Sequence, residues 1–368
     1  MKFKFMSLAA MAACVAFTSC TNDDEPGAGK GNVALNQVAV GINGVTNSRA
    51  GITATSFSGG ESIGLYLFGG TGVDDATTAK RYNEGTEGGT VVEPLNVKYT
   101  RGGDPANAEN PEWFVSQNPI ILSSKVGKLY AYYPYAEGNS DKTGLAIPVS
   151  VTPSQGTGIS DGTKDDGGQA DYMYGIALTN LGNNEVSNKI THADFAMNHA
   201  LTMVSFKFVR DTYPGAGHIR TIKLTNGDGK EYLLQGAATM HIGTGAITGG
   251  TAGAVYCTPD RVLTDLTLST EIPHMLVYPN ATAMAAGDVI LTIEMDDKTY
   301  EINLPHTLKS SASEGYKWEP GKNYVYTLKM KGYGFGADDE DGRDDIDVTI
   351  TPWVDEEATE GDMTKPKN

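Results

Sequence analysis

The stretch Val33–Ala50, VALNQVAVGINGVTNSRA, decides how the rest of the chain is read. Val38, Val40 and Ile42 recur at every second position, which predicts a half-buried strand. The polar run after them predicts a loop that carries Arg49 and Ala50. Two readings follow. The strand is removable, and its loss after cleavage between Arg49 and Ala50 opens a groove in the body behind it. Alternatively, it is the ordinary edge strand with which many exported β-proteins begin.

Residues 1–19 read as an export signal, outside the fold. Lys2 and Lys4 supply its charged start, and the apolar run Met6–Phe17 is too short to span a bilayer as a finished helix. Phe17-Thr18-Ser19-Cys20 resembles the lipobox of bacterial lipoproteins, which makes Cys20 the acylated first residue and its lipid the attachment to the outer membrane. Thr21-Asn22-Asp23-Asp24-Glu25 resembles the acidic tract with which some Gram-negative anaerobes send lipoproteins to the outer surface. The expected organisation is a signal at 1–19, a lipidated leader with its strand at 20–49, and two bodies at 50–190 and 191–368. The junction is expected near Asn188–Thr191.

Loss of Lys2 and Lys4 with the signal moves the formal charge from −17 to −19. Such a surface repels nucleic acid and anionic headgroups. Cys14 lies in the signal and Cys20 carries lipid, so only Cys257 remains. No intrachain disulfide and no cysteine-based zinc site can then form, and the core alone must hold the fold.

Turn-forming clusters, fed by 45 glycines, separate short β-rich runs throughout the chain. In the first half these are Ile63–Phe68, Val91–Tyr99, Trp113–Val115, Ile120–Leu122, Leu129–Tyr135 and Leu145–Val151. The second half alternates more cleanly. Val204, Phe206 and Phe208 share one strand face, as do Val289, Leu291, Ile293 and Met295, and Tyr324, Tyr326, Leu328 and Met330. Asp296-Asp297 predicts a tight turn into Tyr300–Leu304. At the end, Ile346, Val348 and Ile350 alternate ahead of Trp353, a C-terminal strand followed by the polar tail Asp355–Asn368. There is no βαβ rhythm, so the expectation is an all-β chain of antiparallel sandwich type.

Several stretches together carry a resemblance. They are Tyr130–Tyr135 (YAYYPY), Asp171–Gly175 (DYMYG), Phe195–Leu201 (FAMNHAL) leading into VSFKF, and Gly236–Thr248 (GAATMHIGTGAIT). Ile272–Pro279 (IPHMLVYP), Trp318–Tyr326 (WEPGKNYVY) and Ile346–Trp353 follow in order. In spacing and sequence this set resembles the fimbrillin family, pilus subunits and related surface lipoproteins of gut and oral anaerobes. The resemblance implies two tandem transthyretin-like β-sandwich domains and an exported lipoprotein precursor. For stalk members it implies removal of the N-terminal strand by an arginine-specific protease, at the position Arg49 occupies here, and polymerisation with other pilin subunits by donor-strand exchange. The family also holds anchor, tip and adhesin proteins that bind a host or glycan ligand without polymerising.

Other motifs give way to structural readings. Gly60-Glu61-Ser62-Ile63-Gly64 fits G-x-S-x-G, but the β run Leu65–Phe68 follows where a nucleophile elbow needs a helix. The six histidines, at 192, 199, 218, 241, 274 and 306, show no metal-binding spacing, and His199 is expected to be a structural residue at a strand start. Asp161–Asp171 loosely matches a calcium loop but lacks the EF-hand order. Ser160–Asp171 and the acidic Asp338–Asp345 read as solvated loops. Tyr172 and Tyr174, which could stack on sugars, read first as cross-strand or core residues. No residue set makes a catalytic constellation, so neither enzyme activity nor a cofactor is expected.

Overall fold

The computed structural model describes residues 31–42, 57, 59–69, 80–82, 94–102, 113–158, 169–179, 182–183, 185–189, 193–210, 212–262, 272–304, 317–331, 334–335 and 346–352. Among them there is no α-helix, and the all-β expectation holds.

The first body contains β1 (Val33–Ile42), β2 (Ser62–Gly69), β3 (Lys80–Arg81), β4 (Val97–Arg101), β5 (Trp113–Leu122) and β6 (Gly127–Tyr133). After β7 (Ile147–Val151), the chain returns to it through β8 (Met173–Thr179), β9 (Gly182–Asn183), β10 (Glu185–Val186) and β11 (Asp194–His199). The order β6-β2-β4-β5-β1-β11-β8 closes on itself, because β8 also pairs with β6 from Tyr130 opposite Ile176 to Tyr133 opposite Met173. Where alternation predicted a two-sheet sandwich, the pairing makes a barrel-like ring. Alternation reports which face is buried and is silent on whether a sheet's two ends meet.

The second body contains β12 (Thr202–Arg210), β13 (His218–Asn226), β14 (Leu234–Met240), β15 (Ile247–Ala252), β16 (Val255–Cys257) and β17 (Arg261–Val262). It continues with β18 (His274–Val277), β19 (Val289–Met295), β20 (Lys298–Leu304), β21 (Lys322–Lys331), β22 (Gly334–Phe335) and β23 (Ile346–Pro352). One sheet runs β18-β12-β21, with β22 and β23 both on the far side of β21; the other runs β16-β13-β19-β20. The predicted faces are the buried ones: Val204, Phe206 and Phe208 from one sheet share a core with Leu291, Ile293 and Met295 from the other. Asp296 and Asp297 take φ of 48° and 63° between Met295 and its partner Lys298, the two positive values a two-residue hairpin turn requires. Cys257 is fully buried, and burial pushes its thiol up to about 12, far from a reactive thiolate.

Two strands of the ring serve both bodies. Ile63, Leu65 and Leu67 of β2 and Leu129 and Ala131 of β6 face the ring interior, while Tyr66, Phe68, Tyr130 and Tyr132 face the second body's core. Burial on both faces is why these strands read as unbroken apolar runs. β7 also crosses over, pairing with β14 from Ile147 opposite Met240 to Val151 opposite Gly236. Backbone pairing changes from the first body to the second after His199, beyond the expected junction at 190/191. The polar residues around Asn188–Thr191 look like a boundary, yet β11 still has its partners in the ring.

At this junction His199 Nδ1 lies 2.8 Å from Asp171 Oδ2, both side chains almost fully buried. His199 ends β11, not starts it, and its role is the structural one expected. Burial raises the pKa of Asp171, and His199 opposes that shift. Replacing His199 by alanine strands a buried carboxyl and should cost about 3–5 kcal/mol near neutral pH, measured by denaturation. With its folded pKa raised above the unfolded value, Asp171 favours folding when protonated. The deficit of the variant should therefore shrink as pH falls through that raised pKa and be largest above it.

Candidate functional site

β1 is an interior strand of the ring, which removes the edge-strand reading. Along Val33–Ala39 it pairs antiparallel with β5, and along Ala39–Ile42 it pairs parallel with β11. The Ala39 amide also donates to the Ala193 carbonyl at 3.2 Å. Val38 and Val40 are buried and Ile42 is partly buried, as alternation predicts. Leu35 is also fully buried, although it lies three residues before Val38 and thus out of phase. The phase slips at Asn36-Gln37, both exposed.

The cause lies on β5. Leu35 is opposite Ile120 and Gln37 is opposite Val115, so Ser116–Pro119 leave the ladder as a bulge. Pro119 cannot donate to a ladder, and a bulge is where a strand tolerates it. These four residues are the gap between the two β runs read from the sequence, which are one strand here. At the slip the Tyr99 hydroxyl stands between the strands. It accepts from the Ile120 amide at 3.1 Å and donates to the Leu35 carbonyl at 2.6 Å. Burial raises its pKa to about 12, with the Ile120 amide acting against the shift, so the phenol keeps the proton it donates. Tyr99 thus replaces a direct rung of the β1–β5 ladder. Sequence reading placed Tyr99 on a strand but missed this role and that of Leu35. The spacing Leu35, Val38, Val40 was the available signal.

β23 is held differently. It pairs with β21 along its whole length, from Ile346 opposite Leu328 to Pro352 opposite Lys322. Among the described strands β21 is its only partner, so Ile346, Val348 and Ile350 lie on a sheet edge. Cys20, Arg49, Ala50, Trp353, His192, His306, residues 160–168 and 338–345 of the two acidic loops, and the tail Asp355–Asn368 lie outside the described residues.

The other motifs have structural occupations. Gly60, with φ of 87°, makes the turn before β2, and Ser62 Oγ bonds Thr100 Oγ1 at 2.9 Å. A Cβ on Gly64 would fall 2.1 Å from the Tyr132 ring. G-x-S-x-G is here a turn, a cross-strand pair and a seat for an aromatic ring. Tyr172 and Tyr174 pack against the second core, Tyr174 over Gly245. Among the described residues no group of three His, Cys, Asp or Glu could hold a metal ion.

A family model described as fimbrillin-like matches residues 48–353, which leaves β1 outside. No curated protein matches. Among the solved structures that match, two examples share the fold. A candidate cell adhesion protein of Bacteroides ovatus is 18% identical with a TM-score of 0.55, the match covering 89% of this chain and 99% of that one. A second, from Bacteroides uniformis, is 17% identical with a TM-score of 0.52, covering 86% and 98%.

Replacing Tyr99 by phenylalanine leaves the Leu35 carbonyl and Ile120 amide without their bridge. The loss should be about 1–3 kcal/mol by denaturation. Amide exchange should quicken at Ile120 before it does in β12, whose ladders to β18 and β21 run without a shift.

Proposed function

The chain belongs to the fimbrillin-like family, and from that premise we propose that it is a structural subunit of a cell-surface pilus that assembles by donor-strand exchange and supports adhesion. In this reading it is exported as a precursor anchored in the outer membrane through lipid on Cys20. Its two bodies are the family's tandem transthyretin-like domains, the first closed into a ring by β1. An arginine-specific protease cuts between Arg49 and Ala50, and the terminal strand of another pilin subunit then replaces Val38, Val40 and Ile42. No cofactor, metal or nucleic acid takes part, and no residue acts as a catalyst.

The observation that carries the proposal is the place of β1. It fills an interior slot of the ring, yet it lies outside the family match, which begins at residue 48, beside Arg49. Its removal would bare backbone groups on both β5 and β11 together with the apolar seats of Leu35, Val38 and Val40. An added strand satisfies both needs, the donor-strand form of β-augmentation. Three buried side chains, at about 1.5–3 kcal/mol each, also explain why a cut leader would stay seated until another strand competes. β23, which among the described strands pairs with β21 alone, is the terminal strand this chain would release, with Ile346, Val348 and Ile350 as the apolar row of its sequence and Trp353 following it.

Limited digestion of the full chain with an arginine-specific protease should cut first after Arg49 and, with neighbouring pilin subunits supplied, give a ladder of oligomers on incubation. Arg49→Ala should block both. A chain cut there that stays monomeric with every neighbouring subunit supplied would contradict polymerisation and favour a non-polymerising anchor, tip or adhesin.

A further inference from the structure

The slot of β1 does not ask for a plain alternating strand. Its buried occupants are Leu35, Val38 and Val40, with Ile42 partly buried, a spacing of three, two and two. The slip is imposed from outside β1. The bulge Ser116–Pro119 belongs to β5, and the hydroxyl that spans the slip belongs to Tyr99 of β4. Both would meet any strand that took β1's place. Leu35 belongs to the buried apolar cluster of the ring, and the proton of the Tyr99 hydroxyl is already given to the Leu35 carbonyl.

We propose that the buried seat of Leu35, set out of phase by the β5 bulge and the Tyr99 bridge, determines which strand the slot accepts, an inference that rests on the strand-replacement reading above. The slot takes a neighbouring subunit's strand with apolar residues at its first, fourth, sixth and eighth positions. It discriminates against a copy of this chain's own C-terminal strand. In that strand Ile346, Val348 and Ile350 alternate regularly and match the Val38, Val40 and Ile42 positions. In that register, however, the residue delivered to the Leu35 position is Arg343. Moving Ile346 to the Leu35 position instead brings Thr349 and Thr351 to the two valine seats. Either register puts a charged or hydroxyl group where the slot offers an apolar wall, and an unpaired polar group there is costly. The leader is therefore the better occupant, which keeps a cut precursor closed against its own copies. A partner strand with an apolar residue three positions before its alternating triad is the one that displaces it.

The test uses the full chain cut after Arg49 and four isotope-labelled peptides: residues 31–44, the same with Leu35→Arg, residues 341–354, and the same with Arg343→Leu. Peptide retained after gel filtration is measured by mass spectrometry. Residues 31–44 and the Arg343→Leu peptide should replace the leader at concentrations at least about tenfold below their counterparts. Equal potency within each pair overturns this proposal and leaves strand replacement standing. Failure of every peptide to enter overturns both.

Discussion

The constraint on which this structure depends is the pairing of two strand edges that β1, alone among the described strands, joins. β5 offers its ladder along one half of β1 and β11 along the other, and the closed ring exists because one ten-residue segment serves both. A buried amide or carbonyl left without a partner costs about 1–3 kcal/mol, so a vacated slot would hold a row of such costs along with open apolar seats. The same constraint gives the slot its use. A strand that closes the body this completely can be exchanged only for another strand, since nothing else supplies a backbone ladder and apolar side chains together. On the strand-exchange proposal, closure and assembly are two states of one site.

The second body stands behind the ring that holds the slot. β2 and β6 belong to the ring and bury their inner faces in it, yet their outer aromatic residues Tyr66, Phe68, Tyr130 and Tyr132 join the core of the second body. β7 ties the two further by entering a sheet with β14. The YAYYPY stretch, which drew attention as a family likeness, has this physical cause. A strand wedged between two cores needs large apolar surfaces on both faces, and Tyr132 keeps its hydroxyl satisfied on Asn96 at 2.6 Å. The second body therefore braces the slot from behind, and replacing β1 need not disturb it.

Most of the strands were legible because burial on one face writes period two into the sequence. β12, β19 and β21 carry the predicted faces, and the Asp296-Asp297 hairpin follows from two residues that tolerate positive φ. What could not be read is what depends on meeting partners far along the chain. Ring closure through β6 and β8, the entry of β7 into the second body and the shift of the junction past His199 leave no local pattern. At the candidate site, Val38 and Val40 were found by alternation, while Leu35 was lost because the alternation breaks at Asn36-Gln37. The reason for that break sits far along the chain, in the hydroxyl of Tyr99, 64 residues from Leu35, and in the bulge before Ile120.

The central claim is that β1 is a temporary occupant of its slot. The most direct measurement is the N-terminal residue of the chain in fibres taken from the cell surface. The account predicts that the assembled chain begins at Ala50 and that Val33–Ile42 is absent from the fibre. Assembled chains that begin at acylated Cys20, with Val33–Ile42 still in place, would contradict it.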